Sequence, residues 1–237
     1  MSRKNCNRTA LTPALSSSWI RRLSATAAAS GKGPPPTPFE EASIIVEHNA
    51  TDGDTEVVIE GVAGDEGLQL LRIRSPDGRR VVTLLAPDPT TLGMREFLFE
   101  SPEPSGDAVL AAYPEGKYVL YGESTSGEVF RSVLTLSHDL PAPVTILHPA
   151  HESELPAREA LIVRWSQVPN IAGYILEFEN ETEEVEQALT IDLPAHETSY
   201  RIPAKLLPPG GEFQIGIHTV AENGNIVAVE STFTTAD

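Results

Sequence analysis

The sequence has few cysteines and aromatic residues, and it lacks any long apolar run. Its 237 residues include one cysteine, two tryptophans, five tyrosines and seven phenylalanines. The single cysteine, Cys6, excludes a disulfide within the chain, and the shortage of aromatic residues predicts a mainly aliphatic core. Because a membrane-spanning helix needs about 18 or more consecutive apolar residues, we expect no membrane span.

The motifs that mark common enzyme classes are also missing. The chain contains no G-x-S-x-G nucleophile elbow, Walker loop, H-E-x-x-H or C-x-x-C. Cys6 lies in the N-terminal tail, where no histidine is placed to activate it. The sequence therefore predicts a protein that is not an enzyme, with no catalytic, cofactor-binding or metal-binding residues and no cofactor.

Basic residues are scarce outside the first part of the chain. There are 34 acidic and 17 basic residues, which gives a formal net charge of −17. Residues 1–39 contain six Lys or Arg and no acid, so residues 40–237 have a net charge of −23. An acidic body of this size repels phosphate backbones, which argues against nucleic acid as a partner. The charge also serves solubility.

Residues 1–39 are predicted to form a tail. They are rich in Ser, Ala and Pro and end in the stiff linker "GKGPPPTP". On a helix, Leu11, Leu15, Trp19 and Leu23 line one side, in the acid-free, amphipathic pattern of a transit peptide. Two interpretations stay open: a targeting segment, or a disordered extension.

Residues 40–140 are predicted to form a first β-domain of seven or eight short strands, a sandwich or a small barrel. Ile44 to Val46 opens a strand, and Val57 and Ile59 alternate with Glu56, Val58 and Glu60. "SPDGRR" and "ESTSGE" are turn signals between strands. Asp107 to Ala112 is predicted as one helical turn.

Residues 141–237 are predicted to form a second β-domain around the strand "ALIVRW". Its residues Leu161, Val163 and Trp165 share one face, which predicts that the tryptophan is buried between two sheets. In the next strand Tyr174, Leu176 and Phe178 are predicted to face inward; Ile175, Glu177 and Glu179 are predicted to face outward. Seven strands in about 95 residues without cysteines is an immunoglobulin-like count.

Three polar groups are candidate sites. "HPAHESE", with His148, His151, Glu152 and Glu154, resembles a zinc set, but we interpret it as a solvated linker. The segment Asn49–Glu56 offers oxygens for calcium, but an acidic turn is the simpler interpretation. A row of like charges at strand spacing is formed by Glu177, Glu179, Glu181 and Glu183. It could bind cations or a basic partner, or it could be a solvated edge that discourages aggregation between sheets.

Residues 143–237 resemble a fibronectin type III domain. The resemblance depends on the proline-led strand "PAPVTI", on Trp165, on "AGYILEFE" and on the corner formed by Leu207, Pro209 and Gly210. Phe213 stands where the family has a tyrosine whose hydroxyl bonds to upstream backbone. Residues 42–137 resemble, more loosely, the leading β-domain of bacterial extracytoplasmic proteins that contain such a module.

These features together predict an all-β protein of two β-sandwich domains in tandem, the second immunoglobulin-like. We expect a non-enzymatic interaction or spacer protein, extracytoplasmic or secreted, with a protein or glycan held on loops or a sheet edge. An organelle-targeted or cytoplasmic location stays open. So do two other functions: an accessory subunit of a carbohydrate-active or other enzyme, and a calcium-stabilised adhesion module.

Overall fold

The computed structural model describes residues 35–65, 67–86, 88, 92–182 and 187–237. The predictions for the tail, including Cys6 and the helical face with Trp19, and for Glu183 lie outside these residues. Within them the protein is nearly all β and forms two sandwiches in tandem, as predicted.

The first sandwich has seven strands and one short helix. The strands are β1 (Glu41–Asn49), β2 (Thr55–Val62), β3 (Leu68–Arg74), β4 (Arg80–Leu85), β5 (Glu96–Glu100), β6 (Gly116–Ser124) and β7 (Val129–Leu136); helix α1 (Gly106–Ala112) lies between β5 and β6. One sheet has the order β1-β2-β5 and the other β4-β3-β6-β7. The inward residues of both sheets, among them Val57 and Ile59, form one buried cluster. Phe39, at the end of the predicted tail, packs in this cluster.

Local sequence explains how this sandwich turns its corners. In the β3–β4 hairpin Gly78 has a φ of 82°, a left-handed conformation that glycine adopts without a side-chain clash. The β6–β7 hairpin turns through "ESTSGE", as predicted. Helix α1 begins after Ser105, whose side chain accepts a hydrogen bond from the Ala108 N–H. The helical turn predicted at Asp107 to Ala112 is therefore confirmed.

The second sandwich has eight strands. They are β8 (Ile146–His148), β9 (Ser153–Leu155), β10 (Leu161–Trp165), β11 (Gly173–Asn180), β12 (Gln187–Pro194), β13 (Ser199–Ile202), β14 (Glu212–Val220) and β15 (Ile226–Thr235), with a 3₁₀ turn at Ala204–Leu206. One sheet has the order β13-β10-β8 and the other β12-β11-β14-β15, and β9 pairs with the end of β15. The segment "HPAHESE" is not a linker between the domains, because His148 ends β8 and Ser153 begins β9; His151 and Glu152 are exposed in the turn between these strands.

Trp165 occupies the centre of the second core, as predicted. Its side chain is 2% exposed, and its ring lies edge-on to Tyr174 with 5.6 Å between centroids. Tyr174, Leu176 and Phe178 all point inward and are buried. Further along the core the Phe213 ring stacks between Phe178 and Phe233, at 5.4 and 5.2 Å.

The two sandwiches have the same strand order. The three-stranded sheets β1-β2-β5 and β8-β10-β13 correspond, as do the four-stranded sheets β4-β3-β6-β7 and β12-β11-β14-β15. Helix α1 and the 3₁₀ turn occupy the same connection, and the strand after each starts with a related sequence, "PEGKY" ending at Tyr118 and "PGGEF" ending at Phe213. The first domain, for which the sequence predicted a sandwich or a barrel, is thus a sandwich of the same topology as the second.

One sheet of each sandwich joins the other into a single sheet. Strand β15 pairs in parallel with β1, so that Glu47, His48 and Asn49 lie opposite Ile226, Val227 and Ala228. The combined order is β12-β11-β14-β15-β1-β2-β5. We call this the shared sheet and the contact between β1 and β15 the seam. Both cores lie on one face of the shared sheet, because Val46 and Val227 point to the same side.

Candidate functional site

The seam is held by one buried asparagine. Asn225, which is 1% exposed, accepts a hydrogen bond from the Val46 N–H through Oδ1 at 2.9 Å. Its Nδ2 donates to the carbonyls of Ser137 and Asp139 at 2.8 and 2.9 Å. A single side chain therefore binds the first sandwich, the connection between the sandwiches and the start of β15.

Two further bonds extend the seam. The Ala50 N–H donates to the Ala228 carbonyl at 2.8 Å, and the Glu230 N–H donates to Thr51 Oγ1 at 2.8 Å. Asn223, in the turn before β15, donates to the Asp139 carbonyl at 2.9 Å. These bonds fix the direction of one sandwich relative to the other through backbone as well as side chains.

The outer face of the shared sheet has an apolar part near the seam. Ile175, Val220 and Ile226 are buried there and pack in one cluster with Ile45 from β1. The sequence predicted that Ile175 faces outward, and it does point away from the second core. It is nevertheless completely buried, because residues of the neighbouring strands and of the first sandwich cover it.

A charged group from both sandwiches lies further along the same face. His218 on β14 faces Glu177 on β11, with 3.2 Å between Nε2 and Oε2, and both side chains are about one fifth exposed, 19% and 24%. Glu47, on β1, lies near enough to act on the charge of both. We call the outer face around Glu47, Glu177 and His218 the junction face.

A glycine makes room for the histidine. A Cβ atom on Gly216 would come within 3.0 Å of His218 Nε2. Because Gly216 lies beside Glu177 in the register of β11 and β14, the imidazole covers the space that a side chain would fill. The ring can then lie along the sheet toward the Glu177 carboxylate.

Carboxylates on the junction face resist ionisation. Burial raises the pKa of Glu47 from 4.5 to about 7; the positive charge of His218 opposes this rise, while Glu100, Glu177 and Glu60 add to it. Burial also raises the pKa of Glu56, which pairs with Glu47 across β1 and β2, to about 7. Negative charges here are close together and only partly neutralised.

His218 and Glu177, by contrast, both favour their charged forms. Burial opposes protonation of His218, but its 3.2 Å ion pair with Glu177 and the charges of Glu47 and Glu230 raise its pKa overall. Burial opposes ionisation of Glu177, but the ion pair with His218 holds its pKa below 4.5. The pair is therefore an imidazolium–carboxylate ion pair over a pH range that extends above the ordinary pKa of histidine.

The polar groups weighed in the sequence are not brought together as sites. In the Asn49–Glu56 turn, the side chains of Asn49 and Asp52 accept hydrogen bonds from the turn's own Thr51 and Asp54 N–H groups. Among the described residues, no group of three or more His, Cys, Asp or Glu side chains is arranged to hold a metal ion. Of the glutamate row, Glu177 is ion-paired with His218 and Glu181 is exposed.

Sequence reasoning missed Asn225, His218 and the seam. Asn225 stood in "AENGN", which the sequence marks only as a turn. A glycine in the middle of a strand, as in "QIGIHTV", indicates a close approach of another group, so Gly216 was a usable signal for His218. Nothing local marks β1 as the partner of β15, since their contact joins distant parts of the chain.

Comparison with solved structures returns fibronectin type III domains. The FN1–FN3 domains of chicken CNTN1 are 13% identical over 87% of this chain and 75% of that one, with a TM-score of 0.33. A two-domain segment of chicken tenascin is 11% identical over 82% and 97%, with a TM-score of 0.28. Fibronectin(III)-like modules of Clostridium thermocellum CbhA are 11% identical over 84% and 94%, with a TM-score of 0.33. No protein-family model and no curated protein matches.

Strand order, more than these low scores, defines the fold. In the second sandwich a three-stranded sheet packs on a four-stranded one. Trp165, on the middle strand of the three-stranded sheet, is buried between them. Both features agree with the resemblance found in the sequence. The second sandwich has the fibronectin type III fold. The first fibronectin-like sandwich repeats its topology. The described part of the chain includes no helix with the length and apolar character needed to cross a bilayer.

Proposed function

We propose that this protein is a non-enzymatic, extracytoplasmic spacer and interaction unit whose two sandwiches act as one rigid body. The observation that carries the proposal is the shared sheet, with Asn225 binding both sandwiches and their connection. Tandem domains joined only by a linker move relative to one another by default. A strand pair and a buried side-chain network across the junction oppose that motion.

A rigid unit of this kind holds a bound protein or glycan partner on one sandwich at a fixed distance and angle from the other sandwich. Its fold is consistent with an adhesion or spacer module, and fold alone does not give the ligand. The extracytoplasmic location is proposed from the resemblance of residues 42–137 to the leading β-domain of bacterial extracytoplasmic proteins, whereas the transit-peptide pattern of residues 1–39 would favour an organelle. A broad hydrolase panel on the purified protein is expected to show no turnover, and clear turnover of any substrate would contradict the non-enzymatic role.

Distances between spin labels on the two sandwiches, measured by double electron–electron resonance, test the rigidity. Spin labels at Thr83→Cys and Ser199→Cys, both exposed positions, report on the two sandwiches once Cys6→Ser removes the native thiol. We expect one narrow distance distribution. A broad distribution in the otherwise unchanged protein would overturn the proposal.

Asn225→Ala is the matched perturbation. It leaves the Val46 N–H unpaired in the seam, and a lost partner of a buried group costs about 1–3 kcal/mol. We expect the distribution to broaden and the free energy of unfolding to fall by about 2–4 kcal/mol. Asn180→Ala, which removes one hydrogen bond from the Thr182 N–H at the end of β11 and outside the seam, is the control and is expected to change the distance distribution little.

A further inference from the structure

Charge is divided strictly between the sheets of this molecule. The seven strands of the shared sheet contain no Lys or Arg and eleven acidic residues: Glu41, Glu47, Glu56, Glu60, Glu96, Glu100, Glu177, Glu179, Asp192, Glu212 and Glu230. The strands of the two facing sheets contain seven basic residues and one acid, Glu123; the basic residues are Arg72, Arg74, Arg80, Lys117, Arg131, Arg164 and Arg201. A protein of net charge −17 thus has one wholly acidic sheet and two mainly basic ones.

The outer face of β13-β10-β8 is both basic and apolar. Ile162 on β10 lies opposite Arg201 on β13, so their side chains share this face, and Arg164 follows two residues along β10. Ile162 is 40% exposed and Leu147, on β8, is 62% exposed. We call the surface around Leu147, Ile162, Arg164 and Arg201 the basic face.

The junction face has the complementary character. Its carboxylates lie beside an apolar strip that includes Ile45, and His218 lies among them, ion-paired with Glu177. The Glu47 carboxylate makes no hydrogen bond or ion pair with another described side chain, although burial raises its pKa. An arginine from outside would neutralise it, and guanidinium suits pairing with carboxylates at interfaces.

We propose that the junction face binds the basic face of a second copy of this chain. Each copy then offers one face of each kind, on opposite sides of the second sandwich, because the shared sheet and β13-β10-β8 enclose the second core between them. Such a contact is heterologous, and repeated contacts of this kind make an open row of copies instead of a closed dimer. This inference deepens the proposed interaction role and rests on it, and it names the partner.

Sedimentation velocity over a range of concentrations tests the contact. The weight-average sedimentation coefficient of the full chain is expected to rise with protein concentration, and the rise is expected to shrink in 0.5 M NaCl because exposed charge pairs are screened. A sedimentation coefficient that stays at the monomer value up to about 1 mM, far above typical specific affinities, would overturn the inference. The rigidity measured with spin labels would be unaffected, so the proposed function would survive that result.

Charge reversal identifies the faces. Arg164→Glu with Arg201→Glu is expected to weaken self-association at least tenfold. The control, Arg80→Glu with Lys117→Glu, makes the same change in net charge on exposed residues of the first sandwich and is expected to weaken it less than twofold. Equal weakening by both pairs would show general charge repulsion and would contradict the assignment of the basic face.

Reciprocal reversal gives the sharpest test. A protein with Glu177→Lys and Glu230→Lys is expected to lose self-association but to bind the Arg164→Glu, Arg201→Glu protein when the two are mixed. Circular dichroism confirms that each variant is folded before mixing. Failure of the folded variants to associate when mixed would mean that the two faces do not meet. Self-association that persists in either reversed protein would equally exclude this pairing, and would leave another basic surface as the occupant.

Discussion

The two sandwiches share a topology but anchor the same strand in different ways. In the first, Tyr118 near the start of β6 is buried and its hydroxyl donates to the Pro114 carbonyl at 3.0 Å. In the second, Phe213 has the corresponding place in β14 and stacks between two other phenylalanine rings. The tyrosine corner of fibronectin type III domains is therefore present in the first sandwich and absent from the second.

The difference shows that one corner can be built with or without a hydrogen bond. Pro and Gly precede the aromatic residue in both sandwiches, and a Cβ atom on Gly211 would come within 2.5 Å of the Phe213 ring. In the second sandwich the turn therefore forms with an aromatic ring packed over glycine and without a hydroxyl hydrogen bond. The hydroxyl of Tyr118 adds a polar constraint, and the three stacked rings of the second core take its place with apolar contact.

The largest loss of stability is expected in the second core, from Trp165→Ala, because the two cores differ most at this residue. Among the residues that the structure describes, the first core contains no tryptophan, and the Phe97 ring there covers Gly61 on β2. Removing the indole leaves a large cavity, so we expect the free energy of unfolding to fall by about 3–5 kcal/mol. Urea denaturation followed by circular dichroism measures it.

A matched control lies on the same strand. Ile162→Ala removes a side chain that is 40% exposed and is expected to cost well under the tryptophan variant, about 1 kcal/mol or less. A loss below about 1 kcal/mol for Trp165→Ala would contradict the central role of the indole in this core.

A change of intermediate size is expected in the pH dependence of stability, which is set by charged groups where the sandwiches meet. Glu47 has a pKa raised from 4.5 to about 7, so the folded state binds a proton more tightly than the unfolded state, and stability rises as pH falls from about 7.5 toward 4.5. The raised pKa of His218 acts the same way, because its contribution is complete below 6.5 and is lost as pH rises through the folded-state pKa. The lowered pKa of Glu177 opposes this only below pH 4.5.

Urea denaturation at pH 5.5 and pH 8 checks this prediction. We expect the protein to be more stable at pH 5.5, and Glu47→Gln to reduce the difference by about 1–3 kcal/mol, since one pKa unit corresponds to about 1.4 kcal/mol. The exposed Glu154→Gln is the control. An unchanged difference in Glu47→Gln would mean that other groups with raised pKa values, such as Glu56 or Glu60, set the pH dependence.

The smallest effect sharpens the comparison of the two corners. Tyr118→Phe makes the first corner like the second and removes one hydrogen bond, which is expected to cost about 1 kcal/mol. Tyr121→Phe, on the next outward position of the same strand, is the control and is expected to cost less than half of that. If the two variants are equally stable, the Tyr118 hydroxyl contributes nothing and the corners are equivalent in energy as well as in shape.

Much of each sandwich could be predicted from sequence, because a strand with one buried face has a period of two. "ALIVRW" and "AGYILEFE" predicted which residues face the core, and turn glycines predicted the hairpins. The rule identifies the face of a strand but not what covers the other face. Ile175 obeys the alternation and is still buried, because its outer face lies in the apolar cluster at the seam.

The candidate site could not be predicted from local sequence either, because local patterns do not show which strands become neighbours. Glu47, Glu177 and His218 belong to three strands of two sandwiches, and only the pairing of β1 with β15 brings them together. The alternating glutamates were predicted to be a solvated edge, since the period alone does not distinguish a charge in water from one next to a neighbouring sandwich. The corner at Tyr118 was within reach, because "PEGKY" repeats the pattern of "PGGEF".

The seam also has a consequence for the order of folding. The bond from Val46 to Asn225 joins residues 179 positions apart in sequence, whereas each sandwich closes mainly through hairpins and neighbouring strands. Contacts at such separation form late, after the chain between them has lost its freedom. During synthesis the first sandwich therefore has to stand with the β1 edge unpaired until β15 emerges. Residues 226–228 of β15 cover that edge, so losing this end of β15 leaves an open strand on the first sandwich.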